Sequence, residues 1–155
     1  LGLTRVSGAG CRGGGLDAIR ADGIAHLRRL PPDSLGAVSA IHVIEHLPFA
    51  RMIELFGEAR RVLRPGGIVI FETPNPENLI VGACNFYYDP THVRPLPPEP
   101  YRFMLESRGF ERVEIMRLHP DPEAQAFADS PSELARVISE RCFGSWDYAL
   151  IAFKP

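Results

Sequence analysis

Histidines and carboxylates gather at a few places in the chain, and their spacing limits the chemistry open to them. His42-Val43-Ile44-Glu45-His46 has the H-x-x-E-H spacing of certain zinc peptidases. There, two histidines four apart on one helix hold the ion and the glutamate acts as the base. That geometry needs a continuous helix. Residues 37–43 read as strand, and Pro48 follows within two positions of His46, so no metal is expected here. Glu45 and His46 read either as ligand-facing groups or as the start of the next helix. His92 ends Asp89-Pro90-Thr91-His92, where it is either a turn residue or a base. Imidazole is the side chain whose ordinary titration range serves proton transfer near neutral pH. Asp22-Gly23 and Thr73–Asn75 are two further polar clusters, and Asp22 can equally be a helix cap. Phe86-Tyr87-Tyr88 reads as an acceptor platform or as loop packing. Cys84 is isolated and supports no nucleophile.

The elements that must position these groups follow from periodicity. Ile24–Leu30 reads as a short helix, stopped by Pro31-Pro32. Ala37–Val43 is an apolar run flanked by turns, which suits a buried strand. From Phe49 to Leu63 the residues Phe49, Met52, Ile53, Phe56, Ala59 and Leu63 recur at the helical period, and Pro65-Gly66-Gly67 ends the helix. Ile68–Phe71 follows as a strand. Residues 74–98 read as one long Pro-rich loop, the kind that is usually functional. Pro98–Arg108 is helical with Gly109 as the stop, Val113, Ile115 and Arg117 belong to a strand, and Pro131–Cys142 is a helix with Ser130 as its N-cap. Asp147–Phe153 is the last strand. A further strand is expected at Leu16–Arg20, preceded by an irregular Gly-rich stretch over residues 1–15. Strands alternating with helices predict an α/β sheet. Ligands in such sheets bind outside the carboxyl ends of the strands, where Asp22-Gly23, His42–His46 and Thr73–Asn75 would converge.

Composition narrows the classes further. The 155 residues suffice for one core, with 45% apolar and 23% charged residues, so neither disorder nor a fibrous repeat is expected. No apolar run approaches the ~18 residues of a membrane span, and no secretory signal is visible. A net charge of -2 without a basic block argues against nucleic acid as a partner. Three widely spaced cysteines fit a reducing cytoplasm better than a disulfide framework.

Two stretches carry a resemblance. Leu63-Arg64-Pro65-Gly66-Gly67-Ile68-Val69-Ile70 resembles the step into the fifth strand of class I S-adenosylmethionine-dependent methyltransferases. Leu35-Gly36-Ala37-Val38, leading through His42-Val43-Ile44-Glu45-His46-Leu47, resembles their fourth strand and the turn after it. Val113-Glu114-Ile115 with Asp147–Ala152 looks like the antiparallel pair that closes the fold. Glu72-Thr73-Pro74-Asn75-Pro76 together with Tyr88–Leu96 looks like a bacterial subgroup associated with surface-polysaccharide assembly.

The resemblance implies a Rossmann-like, mostly parallel α/β sheet with an antiparallel C-terminal strand over residues 16–155. It implies S-adenosyl-L-methionine as cofactor. Asp22 and Gly23 would meet the adenine, and Ile41, His42 and Val43 would line the methionine part. His46, Asn75 and Tyr88 would face the acceptor, a small molecule or a polysaccharide-related compound, with His92 as the base. The family's opening strand, Gly-rich turn and helix have no match here. Gly8-Ala9-Gly10-Cys11-Arg12-Gly13 fits G-x-G-x-x-G in letters but lies only two residues ahead of the expected strand. An N-terminally truncated domain with impaired methyl transfer is therefore expected, or else a non-catalytic α/β module acting through a partner. An unpaired sheet edge would favour self-association.

Overall fold

A computed structural model describes residues 20–122, 124, 127 and 130–155. The irregular stretch at 1–15, the Gly8–Gly13 motif and the strand expected at Leu16–Arg20 lie outside the described residues, save Arg20, which is exposed and belongs to no element.

Four strands form one sheet in the order β1-β2-β4-β3. They are β1 (Leu35–Ile41), β2 (Leu63–Pro74), β3 (Glu111–Leu118) and β4 (Asp147–Phe153). β1 and β2 run parallel, and β4 is antiparallel to both of its neighbours. β3 therefore points the same way as β1 and β2. The carboxyl ends of three strands and the amino end of β4 thus share one edge. Register confirms it, since Pro74 and Leu118 both pair with Asp147, while Ile41 pairs with Glu72.

β1 stops at Ile41, two residues before the expected end, because His42 takes a left-handed φ of 50° and turns the chain out of the sheet. β2 starts five residues earlier than its β-branched core suggests. Leu63 pairs with Leu35, and the Gly66–Gly67 backbone exchanges hydrogen bonds with Lys154. Gly66 allows this with a φ of 76°, a conformation that costs glycine nothing in sterics.

The helix α1 (Gly23–Arg29) buries Ile24 and Leu27. The helix α2 (Phe49–Val62) buries Met52, Leu55, Phe56, Ala59 and Val62. Its buried face includes Leu55 and Val62, whereas Phe49 is exposed and lies under the Arg94 guanidinium, 4.9 Å from the ring centre. Phe56 meets Phe71 of β2 with ring centroids 5.0 Å apart, tying helix to sheet. Burial of one such ring is worth roughly 1.5–3 kcal/mol.

The Pro-rich stretch is not one loop. Asn78 accepts from the N–H groups of Ile80 and Val81 and starts α3 (Leu79–Ala83), and a 3₁₀ turn follows at Asn85–Tyr88. The next helix is α4 (Pro98–Glu106), after which Gly109 (φ 80°) reverses the chain. The last helix, α5 (Glu133–Cys142), is capped by Ser132 rather than Ser130. The Ser132 hydroxyl accepts from the Ala135 N–H, and Ser130 accepts from Ser132 instead. Among the described residues no helix is long and apolar enough to cross a membrane.

Candidate active site

The shared strand edge holds two groups of side chains. The first surrounds His42. Its backbone N–H still donates to the Glu72 carbonyl (3.0 Å), so the ladder between β1 and β2 runs one residue past the strand. Its left-handed backbone then places the ring among three carboxylates. Nδ1 lies 3.2 Å from Glu45 Oε1, and Nε2 lies 3.7 Å from both Glu72 Oε1 and Asp147 Oδ1. The hydrogen bond to Glu45 raises the His42 pKa; burial opposes the rise, and the charges of Glu45, Asp147 and Glu72 add to it. Asp147 also meets His119 Nδ1 at 2.9 Å.

The second group lies where the turn after β1 meets the segment after α3. Glu45 and His46 occupy a single 3₁₀ turn, Ile44–His46. The Val93 N–H donates to the Glu45 carbonyl (2.9 Å), which fastens the Pro-rich segment to that turn. The imidazoles of His46 and His92 therefore face each other with ring centroids 4.6 Å apart. His92 Nδ1 donates to the Phe86 carbonyl (2.6 Å), and Phe86 packs against its ring. Thr91 Oγ1 donates to Asp89 Oδ1 (2.6 Å) and so accepts from His46 Nδ1 (2.9 Å). These bonds make Nδ1 the donor on both rings, so that in the neutral imidazole the lone pair lies on Nε2. Bonds from Thr91 hold the Asp89 carboxyl below its usual range.

Glu45 joins the two groups. It is fully buried, and its Oε2 accepts from Thr73 Oγ1 (3.1 Å) while Oε1 faces His42. An unpaired carboxylate at that depth would cost several kcal/mol, so His42 and Thr73 are needed to hold it.

The H-x-x-E-H spacing does not form a helical zinc pair. His42 ends a strand, and only Ile44–His46 are helical before Pro48. Asp22 caps α1 by accepting from the Ala25 N–H (2.8 Å) and pairs with Arg51 of α2 at 2.9 Å, which brings it beside the first turns of that helix. The Ala25 N–H is the main cause of its lowered pKa, with Arg51 adding to it. Gly23 is exposed, and a Cβ there would meet nothing within 4 Å. Ile41 is exposed at the β1 end and Val43 is half-buried. Asn75 is fully buried, donating to the Ser145 carbonyl (2.9 Å) and accepting from the Glu77 N–H, so its amide is engaged in holding the β2–β4 junction. Tyr88 is 76% exposed, and its hydroxyl accepts from Cys84 Sγ (3.3 Å). His46 and His92 are brought together; Tyr88 and Asn75 do not join them in a direct contact.

Sequence reasoning did not single out Thr91, Asp89, Glu72 or Asp147. The Asp-Pro-Thr-His turn was the available signal for the first two, since an Asp two residues before a Thr favours the bonds seen here.

A parallel α/β sheet with an antiparallel β4 inserted beside β2, and with polar groups collected at its carboxyl edge, defines a Rossmann-like ligand-binding fold. The methyltransferase domain family matches residues 17–115. A probable S-adenosylmethionine-dependent methyltransferase of Mycolicibacterium smegmatis is 37% identical over 93 residues, which are 60% of this chain and 35% of that protein. The chain thus spans about a third of that curated relative. A S-adenosylmethionine-dependent methyltransferase from Archaeoglobus fulgidus superposes with a TM-score of 0.80 at 35% identity, over 91% of this chain and 69% of that one. A phosphoethanolamine N-methyltransferase of Haemonchus contortus in complex with S-adenosyl-L-methionine shares the fold, with a TM-score of 0.54 at 17% identity over 82% of this chain and 35% of that one. The chain belongs to the methyltransferase domain family.

The cofactor of this family is S-adenosylmethionine. The described residues fit it at the end of β1. Ile41 and His42 are exposed there, 47% for the Ile41 residue and 45% for the His42 side chain. Among the described residues no strand pairs with the outer edge of β1.

Proposed function

We propose that this chain takes part in S-adenosylmethionine-dependent methyl transfer to a hydroxyl-bearing acceptor, a small molecule or a saccharide. The observation that carries the reading is the pairing of His46 and His92, each with Nδ1 engaged and its lone pair on Nε2, beside the strand edge. The bound cofactor supplies an electrophilic methyl group. Ile41, His42 and Val43 line its methionine part, and Asp22 with Gly23 offers a carboxylate and an amide to the adenine. His46, Asn75 and Tyr88 bound the acceptor side.

His92 readies the acceptor oxygen. Its Nε2 lone pair would take the hydroxyl proton, and the cofactor, when bound, would supply the methyl group and leave as S-adenosylhomocysteine. Such assistance is typically worth ~10²–10⁴-fold. The Phe86 carbonyl keeps the ring in the tautomer this needs. Two rigid residues, Pro90 and Pro95, limit the shapes of the segment and so the entropy of holding the ring in place. Alignment of acceptor and methyl group supplies the rest of the acceleration.

The test is transfer of labelled methyl from S-adenosylmethionine to a panel of saccharide and small-molecule hydroxyl acceptors, with S-adenosylhomocysteine binding measured alongside. Label in an acceptor hydroxyl is the expected result. Binding of neither cofactor form would overturn the reading.

A further inference from the structure

We propose that Glu45, His46 and His92 form a binding site for one first-row divalent cation. One ligand-capable atom from each residue lies within 4.8 Å of those of the other two. Ligands at ~2.1 Å from such an ion stand roughly 3–3.5 Å apart, a spacing that three atoms gathered this closely can reach. The His pair is not the one the H-x-x-E-H spacing suggests. His42 directly follows β1, and its place is taken by His92, 46 residues beyond His46 in sequence.

Three features support the site. The donor set is two imidazoles and one carboxylate, which suits zinc, iron, manganese or cobalt and leaves coordination positions open for an oxygen ligand. Each imidazole is held from behind. His46 Nδ1 donates to Thr91 Oγ1, which donates on to the Asp89 carboxylate, and His92 Nδ1 donates to the Phe86 carbonyl. Metal-binding histidines are oriented in this way, with the second nitrogen on a carboxylate, carbonyl or hydroxyl group. Finally, Glu45 is fully buried and fixed by Thr73 and His42, yet each of its oxygens keeps a lone pair beyond the one engaged. Balancing the Glu45 charge needs only His42.

What the ion would do rests on the methyl-transfer reading. A coordinated acceptor hydroxyl becomes more acidic and is held beside the end of β1. The general-base role of His92 belongs to the ion-free chain; with the ion bound its lone pair is a ligand, and the hydroxyl proton passes to solvent buffer.

The experiment titrates Co²⁺ into the metal-stripped 155-residue chain and follows visible absorption and calorimetric heat. One Co²⁺ per chain at micromolar affinity is expected, with selective shifts of the His46 and His92 ring signals in NMR of the unaltered protein. His46→Ala and His92→Ala should each weaken binding at least tenfold, and Asp89→Asn about tenfold. Glu72→Gln should change it less than threefold. Affinity no tighter than millimolar overturns the site. So does loss of binding in Glu72→Gln alone, which would place the ion on the His42, Glu72 and Asp147 cluster. Ring signals that do not move overturn it even if a variant fails to fold. S-adenosylhomocysteine binding in the metal-free protein separates the two readings, since it survives a failure of the ion site, and Co²⁺ binding survives a failure of methyl transfer.

Discussion

The two sides of the strand edge are held by different forces. On the β1 side, His42 stands among Glu45, Glu72 and Asp147, and Asp22 pairs with Arg51. These contacts are between charges and are partly open to water. On the loop side, His46 and His92 are fixed by a threonine hydroxyl, a backbone carbonyl and a packed aromatic ring. On the reading proposed above, charge on the first side would suit a cationic sulfonium. On the same reading, directional bonds on the second side would orient the two rings toward an acceptor. The two sides should therefore respond differently to substitution.

The largest expected effect is on the loop side. His92→Ala should lower methyl transfer at least ~10²-fold, by general-base magnitudes, while S-adenosylhomocysteine affinity changes less than about threefold. Steady-state turnover and calorimetry read the two quantities. A fall of less than tenfold would make His92 a turn residue. A parallel collapse of cofactor affinity would mean that the two sides do not work separately.

The scaffold beneath the loop gives the next effect. Asn78 is fully buried; its amide donates to the Gly144 carbonyl (2.9 Å) and its oxygen caps α3. Asn78→Ala strands these partners and should destabilise the fold by ~1–3 kcal/mol in chemical denaturation. A smaller cost would show that the segment carries its own shape.

Much of this edge was legible in the sequence, and the rest was not for identifiable reasons. Asp147–Phe153 is observed as expected, and the helix from Phe49 ends within one residue of its expected limit, because their periodicities are strong and their punctuation is clear. β1 was misjudged at its end because a left-handed histidine is not a sequence signal. β2 was judged too short because Leu63–Gly67 is held by Leu35 and Lys154, partners distant in sequence. α3 was missed inside a Pro-rich stretch although Asn78 is a good cap. The clusters after β1 and at the end of β2 were readable, since alternation of strands and helices fixes which ends share an edge. The meeting of His46 with His92 was not, because it depends on one backbone bond, from Val93 to Glu45, that no local pattern announces.

β1 is one of the two edge strands of the described sheet, the other being β3. Residues 36–41 carry no charge and no proline, the two devices that usually keep an edge strand from pairing with another chain. The 155-residue chain is expected to self-associate in light scattering as concentration rises. Ser39→Lys should shift it toward monomer. A monodisperse wild-type chain at high concentration, with no binding of an apolar dye, would show that this edge is covered.

The smallest effect concerns Asp22, and it divides charge from hydrogen bonding on the β1 side. Its folded pKa is depressed, chiefly by the Ala25 N–H and further by Arg51. A depressed carboxyl stabilises the fold above its unfolded pKa of ~3.9, and the contribution disappears as pH falls through the lower, folded value. The carboxylate is 42% exposed, so the ion pair itself should contribute under ~1 kcal/mol. Removing the cap with Asp22→Ala should cost ~0.5–2 kcal/mol at neutral pH. Asparagine caps a helix about as well as aspartate, so Asp22→Asn should keep most of that and lose only the part that depends on Arg51. Denaturation midpoints at pH 7 and pH 3 then order the three proteins. Wild type should exceed Asp22→Asn slightly at pH 7, and the gap should narrow at pH 3, while Asp22→Ala lies lowest at pH 7. If Asp22→Asn is as unstable as Asp22→Ala at pH 7, the charge pair with Arg51 outweighs the cap. In cofactor titrations, an affinity unchanged in both variants would leave Asp22 as a cap alone and move the adenine contact to another residue.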